Sequence, residues 1–339
     1  MNSPKEIIIS FHLPTELLHQ IQAASEKLKI HHFVALKTDD IPQEAWQKVE
    51  ILFTHKVVPS PDLAPKLRWI QFYRAGNEQF MDEPILDKPD LIATTMSGAS
   101  APQVAEYALE MILALGHRLP QILEDQKGGV WRADRLEYYA PLELSQSTVG
   151  IVGYGSIGRE IARLLNHFGT VVLATKQNAM HPADPGYTIE GLGDPDGDYF
   201  HRLYPAEALQ SMVKECDFVV VSLPLTKNSQ DLIDHKHFEA MKPTAFLIDV
   251  SRGGIINHED LKVALMDGKI AGAALDVFPE EPLPEDDPLW NLPNVILTPH
   301  IAGVSRLYNQ RAVDLFLENL NRYLEGKDLY NLIDLHRGY

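Results

Sequence analysis

The chain has 339 residues, 45% of them apolar and 23% charged, the balance of an ordinary globular protein of about two domains. With 30 Lys and Arg against 47 Asp and Glu, the formal net charge is −17, which makes a poor general binder of nucleic acid or of an anionic membrane. The single cysteine, Cys216, excludes an internal disulfide framework; residues 1–10 hold no basic segment leading into a long apolar run, no stretch nears the ~18 apolar residues of a membrane span, and the cytosol is the expected compartment.

The first hundred residues alternate strand-like and helix-like pieces. Glu6-Ile-Ile-Ile-Ser10 reads as a buried strand. Leu17, Leu18, Ile21 and Leu28 predict a helix over Thr15–Lys29, with Pro14 near its start. Apolar runs at His32–Leu36, Ile51–Phe53, Trp69–Gln71 and Leu91–Ala93 read as further strands, and strands alternating with helices predict a parallel sheet. Val104–Leu119 reads as a helix, with Ala108, Met111, Ile112 and Leu115 on one stripe, before Gly128-Gly129 and a polar stretch to Ser147 break the pattern.

A second strand series follows at Thr148–Val152, Val171–Leu173, Phe218–Val221, Ala245–Ile248, Ala271–Leu275 and Val295–Leu297. Such near-continuous apolar runs suit strands covered by helices on both faces. Between the second and third of them, Asn178–Pro205 is rich in proline, glycine and aspartate and reads as a long loop. Its segment Asp194-Pro-Asp-Gly-Asp198 superficially resembles a calcium loop, but the glycine and glutamate such a loop needs are out of place. It reads as a turn, and no metal site is expected. Ser305–Leu324, with Leu315, Phe316, Asn319, Leu320 and Tyr323, reads as a final helix.

Gly153-Tyr-Gly155-Ser-Ile-Gly158 matches G-x-G-x-x-G, directly after a strand and opening a helix that carries Ile157, Ile161, Leu164, Leu165 and Phe168 on one face. That context is the one dinucleotide binding requires. Gly153 permits the tight turn, Gly155 lets backbone approach a pyrophosphate, and Gly158 lets helix and strand pack closely. The helix start at Ser156 and Ile157 offers N–H groups to the anion. An acid that would accept from the ribose hydroxyls of NAD is absent from the end of the next strand, Val171-Val-Leu-Ala-Thr-Lys176. Lys176 stands about where the acid belongs. It suits a 2′-phosphate, with Thr175 and Gln177 adding hydrogen bonds, so the cofactor is NAD or NADP with the balance toward NADP; a solvated lysine is the plainer alternative.

Three short segments lie at or just after the ends of late strands: Asp249-Val-Ser-Arg252-Gly-Gly254, Leu275-Asp276-Val-Phe-Pro-Glu280-Glu281-Pro282 and Thr298-Pro-His300-Ile-Ala-Gly303. Ligands of open α/β sheets bind outside the carboxyl ends of the strands. Reduction of a 2-oxo acid needs a hydride at the carbonyl carbon, a proton at its oxygen and a cation for the carboxylate. Arg252 offers the planar fork, His300 the proton, and Glu281 a bond to the other ring nitrogen that fixes the tautomer and favours the imidazolium. Each has a blander reading as well. Arg252 suits a turn or a pair with Asp249, Glu281 a solvated acidic loop, and His300 a satisfied buried ring.

These segments stand in order with Val104-Ala-Glu-Tyr-Ala108, Val221-Ser-Leu-Pro-Leu-Thr226 and Glu281-Pro-Leu-Pro284. The whole resembles the D-isomer-specific 2-hydroxyacid dehydrogenase family, over roughly residues 67–324. The resemblance implies an α/β chain of two Rossmann-like domains. A doubly wound parallel-sheet cofactor domain, residues 104–303, is inserted into a discontinuous flavodoxin-like substrate domain, residues 1–103 and 304–339. It implies the roles given above for Arg252, Glu281 and His300. It places Asp276 on the nicotinamide carboxamide, lines the cofactor with Leu223, Pro224, Val250, Ser251, Ala302 and Gly303, and offers the N–H groups of Ala75 and Gly76 to the substrate carboxylate. It implies a homodimer through the cofactor domain and a small 2-oxo or 2-hydroxy acid as partner. Arg74, where small or apolar residues are common, suits an extra acidic group on the substrate, or is a surface arginine. Glu281 speaks against formate dehydrogenases, which pair their histidine with glutamine. Two other readings stay open: a relative acting on a different oxyanion, and an NAD(P)-sensing module like the family's corepressors.

Overall fold

The structure, a computed structural model, describes residues 4–334, so the expected domain ends at 1–3 and 335–339 lie outside the described residues. The chain divides into two compact units, one of Met1–Ser100 with Ser305–Tyr339 and one of Ala101–Val304.

The first unit opens with β1 (Lys5–Ile9), α1 (Thr15–Ala23), β2 (Leu28–His32), α2 (Gln43–Trp46), β3 (Ile51–Thr54), β4 (Trp69–Phe72) and β5 (Ile92–Thr94). The strands form a parallel sheet in the order β2-β1-β3-β4-β5. β1 lies between β2 and β3, so the order reverses beside it, and the chain crosses from one side of the sheet to the other there. Two expectations shift here. The helix expected to reach Lys29 stops at Ala23, and the strand expected at His32–Leu36 runs over Leu28–His32 instead. The reason is tertiary. Leu28 is buried opposite Lys5 in the sheet, a long-range pairing that local periodicity cannot register. Val34 and Leu36 are left exposed.

The second unit runs through α3 (Ala101–Gly116), α4 (Leu119–Lys127), α5 (Arg135–Tyr138), β6 (Thr148–Val152), α6 (Ser156–Asn166), β7 (Val171–Lys176), β8 (Arg202–Pro205), α7 (Leu209–Val213), β9 (Phe218–Val221), α8 (His235–Ala240), β10 (Phe246–Asp249), α9 (His258–Met266), β11 (Gly272–Leu275) and β12 (Val295–Leu297). Its parallel sheet has the order β12-β11-β10-β9-β6-β7-β8. Apolar layers cover both faces: Leu247, Val219 and Ala273 meet α7–α9 on one, and Ile248, Val220 and Ala274 meet α3 and α6 on the other. α3 begins at Ala101, earlier than expected, because Pro102 is tolerated in a helix's first turn.

The long polar segment is not all loop. Its end, Arg202–Pro205, pairs with β7 as the sheet's edge strand, where a terminal proline is tolerated. The rest is laid on α6. The buried Arg159 guanidinium donates to the carbonyls of Pro182 and Asp194 and lies 3.3 Å from the Asp184 carboxylate. Glu160 accepts from Gly193 N–H at 2.6 Å. The buried Asp194 carboxylate accepts from the N–H groups of Gly197, Asp198 and Tyr199, and from the Tyr154 hydroxyl. It is thus the closing group of a turn.

The last helix, α10 (Tyr308–Glu325), returns to the first unit. Phe316 stacks on Phe53 and Trp69, with ring centroids 4.5 and 5.2 Å away. The buried Asn319 donates to Gln71 Oε1 at 3.1 Å, and that oxygen also accepts from Thr94 at 2.8 Å. A satisfied polar network inside an apolar layer fixes one register, so the helix is specified by the sheet that it covers.

Candidate active site

The order of the larger sheet reverses between β6 and β9, and the glycine motif sits at that point. Gly153 has φ +102°, a conformation open to glycine. A Cβ there would lie 2.7 Å from Leu223 Cδ2, at the end of β9, and a Cβ at Gly158 would lie 2.3 Å from the Gly153 carbonyl oxygen. Gly155 differs. It is the N-cap of α6 without a side-chain cap, and a Cβ on it would meet nothing within 4 Å. A helix start at a glycine with open space where a Cβ would stand fits a phosphate. The nucleotide-binding residues of the sequence reading are therefore compatible with the group they would hold.

Thr175 and Lys176 are otherwise engaged. The Thr175 hydroxyl accepts from Gly153 N–H at 3.2 Å and its carbonyl from Tyr154 N–H at 2.9 Å, which fastens the glycine turn to β7. Lys176 Nζ donates to the carbonyls of His181, Ala183 and Pro182 at 2.7, 2.9 and 3.3 Å. An ammonium has three donors, and the loop engages all three. Burial holds its pKa below the usual lysine value, and the nearby Arg159 acts the same way. In this structure the lysine anchors the loop through those carbonyls.

On the other side of the reversal, β10, β11 and β12 deliver the three catalytic candidates to one rim. His300 Nδ1 lies 2.8 Å from Glu281 Oε2. The other oxygen of Glu281 accepts from Phe278 N–H at 3.1 Å, so the carboxylate is held before it holds the imidazole. His300 has φ +53°, in the left-handed region, at a cost on the order of 1 kcal/mol for a side-chain-bearing residue. Asp276 offsets that cost. Its buried carboxylate accepts from Thr298 Oγ1 at 2.6 Å and from the N–H groups of Ile301 and Ala302 at 2.8 Å each, while its carbonyl accepts from His300 N–H at 2.9 Å. Asp276 thus shapes the loop that presents His300. With about four acceptor sites on a carboxylate, roughly one is left for a carboxamide.

Arg252 follows β10 and donates from Nη1 to the Ser251 carbonyl at 2.8 Å. Ser251 is buried, with its hydroxyl and N–H on Asp249. Burial raises the Asp249 carboxyl to about 7, with Asp276 adding to the shift and Ser251 and Arg252 opposing it. Val250 and Ala302 are buried, Leu223 and Pro224 are partly exposed beside the glycine turn, and Gly303 accepts from Gln103 at 3.0 Å.

Sequence reasoning missed three supports. Gly253 is one: a Cβ there would lie 1.8 Å from the Phe278 carbonyl oxygen, so the Arg252 and Glu281 loops touch through bare backbone. Thr298 is the second. Tyr107 is the third; its hydroxyl lies 2.6 Å from Thr298 Oγ1, and burial pushes it up to about 12. Its signal was present, because it lies within the quoted Val104–Ala108 motif. Ala75, Gly76 and Arg74 belong to the first unit, just after β4.

The fold joins a glycine-rich strand-to-helix turn and a His–Glu pair at strand ends of one parallel sheet, and the comparisons give its class, an α/β dehydrogenase. The family profile described as D-isomer specific 2-hydroxyacid dehydrogenase, NAD binding domain, matches residues 109–302. A glyoxylate reductase of Thermofilum pendens is 34% identical over 267 residues, covering 78% of this chain and 74% of its own. A glyoxylate reductase/hydroxypyruvate reductase of Mus musculus is 35% identical over 230 residues, covering 68% and 66%. A crystal structure of a D-isomer specific 2-hydroxyacid dehydrogenase from Xanthobacter autotrophicus Py2, in complex with NADPH and MES, superposes with TM-score 0.81 at 26% identity, covering all of both chains. The chain belongs to the D-isomer-specific 2-hydroxyacid dehydrogenase family. It is an NAD(P)-dependent oxidoreductase acting on a CH–OH group, and it reduces a 2-oxo acid.

Proposed function

We propose that the substrate is a small 2-oxo acid, with His300 as proton donor, Glu281 as its positioning partner and Arg252 as the carboxylate-binding cation. The observation that carries this reading is the 2.8 Å bond from His300 Nδ1 to a Glu281 carboxylate anchored on Phe278 N–H. With Nδ1 committed to Glu281, Nε2 is the nitrogen left to face a substrate oxygen. As the C=O π bond opens, that oxygen takes the Nε2 proton, and the guanidinium of Arg252 balances the carboxylate. The nicotinamide, when bound, supplies the hydride to C2. The Gly153–Gly158 turn and the start of α6 at Ser156 and Ile157 take the pyrophosphate, and Ala75 and Gly76 offer N–H groups to the substrate carboxylate. The glyoxylate reductase names of the relatives support the small substrate.

The test is initial-rate oxidation of NADH and NADPH, side by side, over short, branched, aromatic and dicarboxylic 2-oxo acids. Turnover of small 2-oxo acids, with or without a second carboxylate, is the expected result, and the nucleotide ratio reads the cofactor. Silence across the panel with nucleotide still binding would overturn the reading.

The homodimer belongs to the same proposal. α4 and α5 have no buried residue, and their segment exposes Leu123, Val130, Trp131 and Leu136, the last two at 84% each. A second copy of this chain is the expected cover for these exposed apolar side chains of the cofactor unit. Sedimentation of Trp131→Glu/Leu136→Glu is expected to give monomers where the parent gives dimers. A parent that sediments as a monomer would remove the dimer. No helix among the described residues is long and apolar enough to cross a membrane. A cytosolic enzyme without nucleic-acid or membrane partners is the reading that the charge of −17 and the lone cysteine support.

A further inference from the structure

The smaller sheet also reverses its order, between β1 and β3. Open α/β sheets bind ligands outside the carboxyl ends of strands at such a point. There Ser10, after β1, donates to Thr54 at the end of β3, with 2.7 Å between their oxygens. His55 follows Thr54. Tyr73, Arg74, Ala75 and Gly76 follow β4, the neighbouring strand.

Arg74 does not wave in solvent. Its Nε donates to His55 Nε2 at 2.8 Å. That fixes His55 as the neutral ring with its proton on Nδ1, and burial, Arg74 and Lys56 all hold its pKa below the ordinary value. The ring packs edge-on against Tyr73, with centroids 5.5 Å apart. Tyr73 is itself fixed, its hydroxyl on Asn309 and its carbonyl accepting from the Tyr308 hydroxyl at 2.6 Å. A guanidinium fastened through Nε keeps both η nitrogens as a fork. No carboxylate among the described residues forms an ion pair with Arg74, in a chain of net charge −17. The charges that act on His55 are both positive. Beside the fork, the N–H groups of Ala75 and Gly76 have no protein acceptor among the described residues.

Two anion-recognising places therefore stand side by side. The Ala75–Gly76 N–H groups lie at the end of β4, and the Arg74 fork is drawn toward the end of β3, about 4.8 Å away by strand spacing. A short dicarboxylate spans such a gap. We propose that the His55–Arg74 pair is a specificity element that selects 2-oxo acids carrying a second acidic group at the end remote from the reacting carbonyl. Arg74 binds that group, and His55 is the positioning residue. This rests on the reading that Ala75 and Gly76 hold the C1 carboxylate.

The test compares 2-oxoglutarate with 2-oxopentanoate, and oxaloacetate with 2-oxobutanoate, in the parent enzyme, Arg74→Met and His55→Phe. A phosphate-ended 2-oxo acid is added to separate carboxylate from phosphate recognition. The parent is expected to prefer the diacid of each pair. Arg74→Met is expected to cut the diacid-to-monoacid ratio of kcat/KM by roughly 10–100-fold, mostly through KM. His55→Phe, which keeps the ring and loses the acceptor, is expected to cut it less, and Arg74→Lys to restore it only in part. A parent without diacid preference, or an Arg74→Met that lowers both members of a pair equally, would overturn the proposal. The monoacid arm separates the two readings. Monoacid turnover without diacid preference sinks this inference alone, and no turnover of any 2-oxo acid sinks both.

Discussion

His300→Asn is expected to lower kcat for 2-oxo acid reduction by roughly 10²–10⁴-fold, the range associated with losing a positioned acid, while nucleotide affinity stays within about 2-fold. Asparagine is the informative replacement. It tolerates the left-handed backbone that His300 adopts at φ +53°, so the loop fastened by Asp276 keeps its shape and only the imidazole is removed. Cofactor binding, read by nicotinamide fluorescence, reports on the glycine turn at β6, which shares no hydrogen bond with His300. Glu281→Gln is expected to fall between parent and His300→Asn. The amide oxygen can still accept from Nδ1, yet it brings no charge to the imidazolium. Turnover by His300→Asn within about 5-fold of the parent would remove His300 as the proton donor.

What the sequence makes legible depends on how local the cause is. The glycine motif is legible because its demands lie within a few residues: Gly158 must clear the Gly153 carbonyl five positions back. The rim is legible because strand ends are local, and three such ends carry an arginine, a glutamate and a histidine. The anchoring role of Lys176 is not legible because its ammonium is engaged by carbonyls of 181–183, a folded loop with no periodicity to read. β2 shifts because Leu28 answers to Lys5 across the sheet. β8 escapes notice because a four-residue edge strand inside a proline-rich stretch has no pattern of its own. The Asp276 cage around the His300 loop is hidden for a similar reason. Its donors, Thr298, Ile301 and Ala302, come from 22 to 26 positions later.

Gly253→Ala is the larger structural prediction, because its cause is wholly long-range. The added methyl would stand 1.8 Å from the Phe278 oxygen, 2.2 Å from its carbonyl carbon and 2.7 Å from Pro279 N. These are backbone atoms, so no side chain can swing aside, and the two loops must separate by more than an ångström. Phe278 is the residue whose N–H anchors Glu281, and Arg252 is the immediate neighbour of the substituted position. One methyl therefore displaces both the positioning partner of His300 and the cation. Stability is expected to fall by about 1–3 kcal/mol, as overpacking does, and kcat/KM by about 10²-fold or more, as a misplacement near 1 Å does. A double-mutant cycle separates the two effects. If the methyl acts through the His300–Glu281 geometry, Gly253→Ala in a His300→Asn background costs only a few-fold further, because groups that act as a unit are not additive. Full multiplication of the two losses would mean that the methyl works through Arg252 or the fold alone. Parent-like rates and an unshifted melting curve for Gly253→Ala would mean that the two loops do not meet at this glycine.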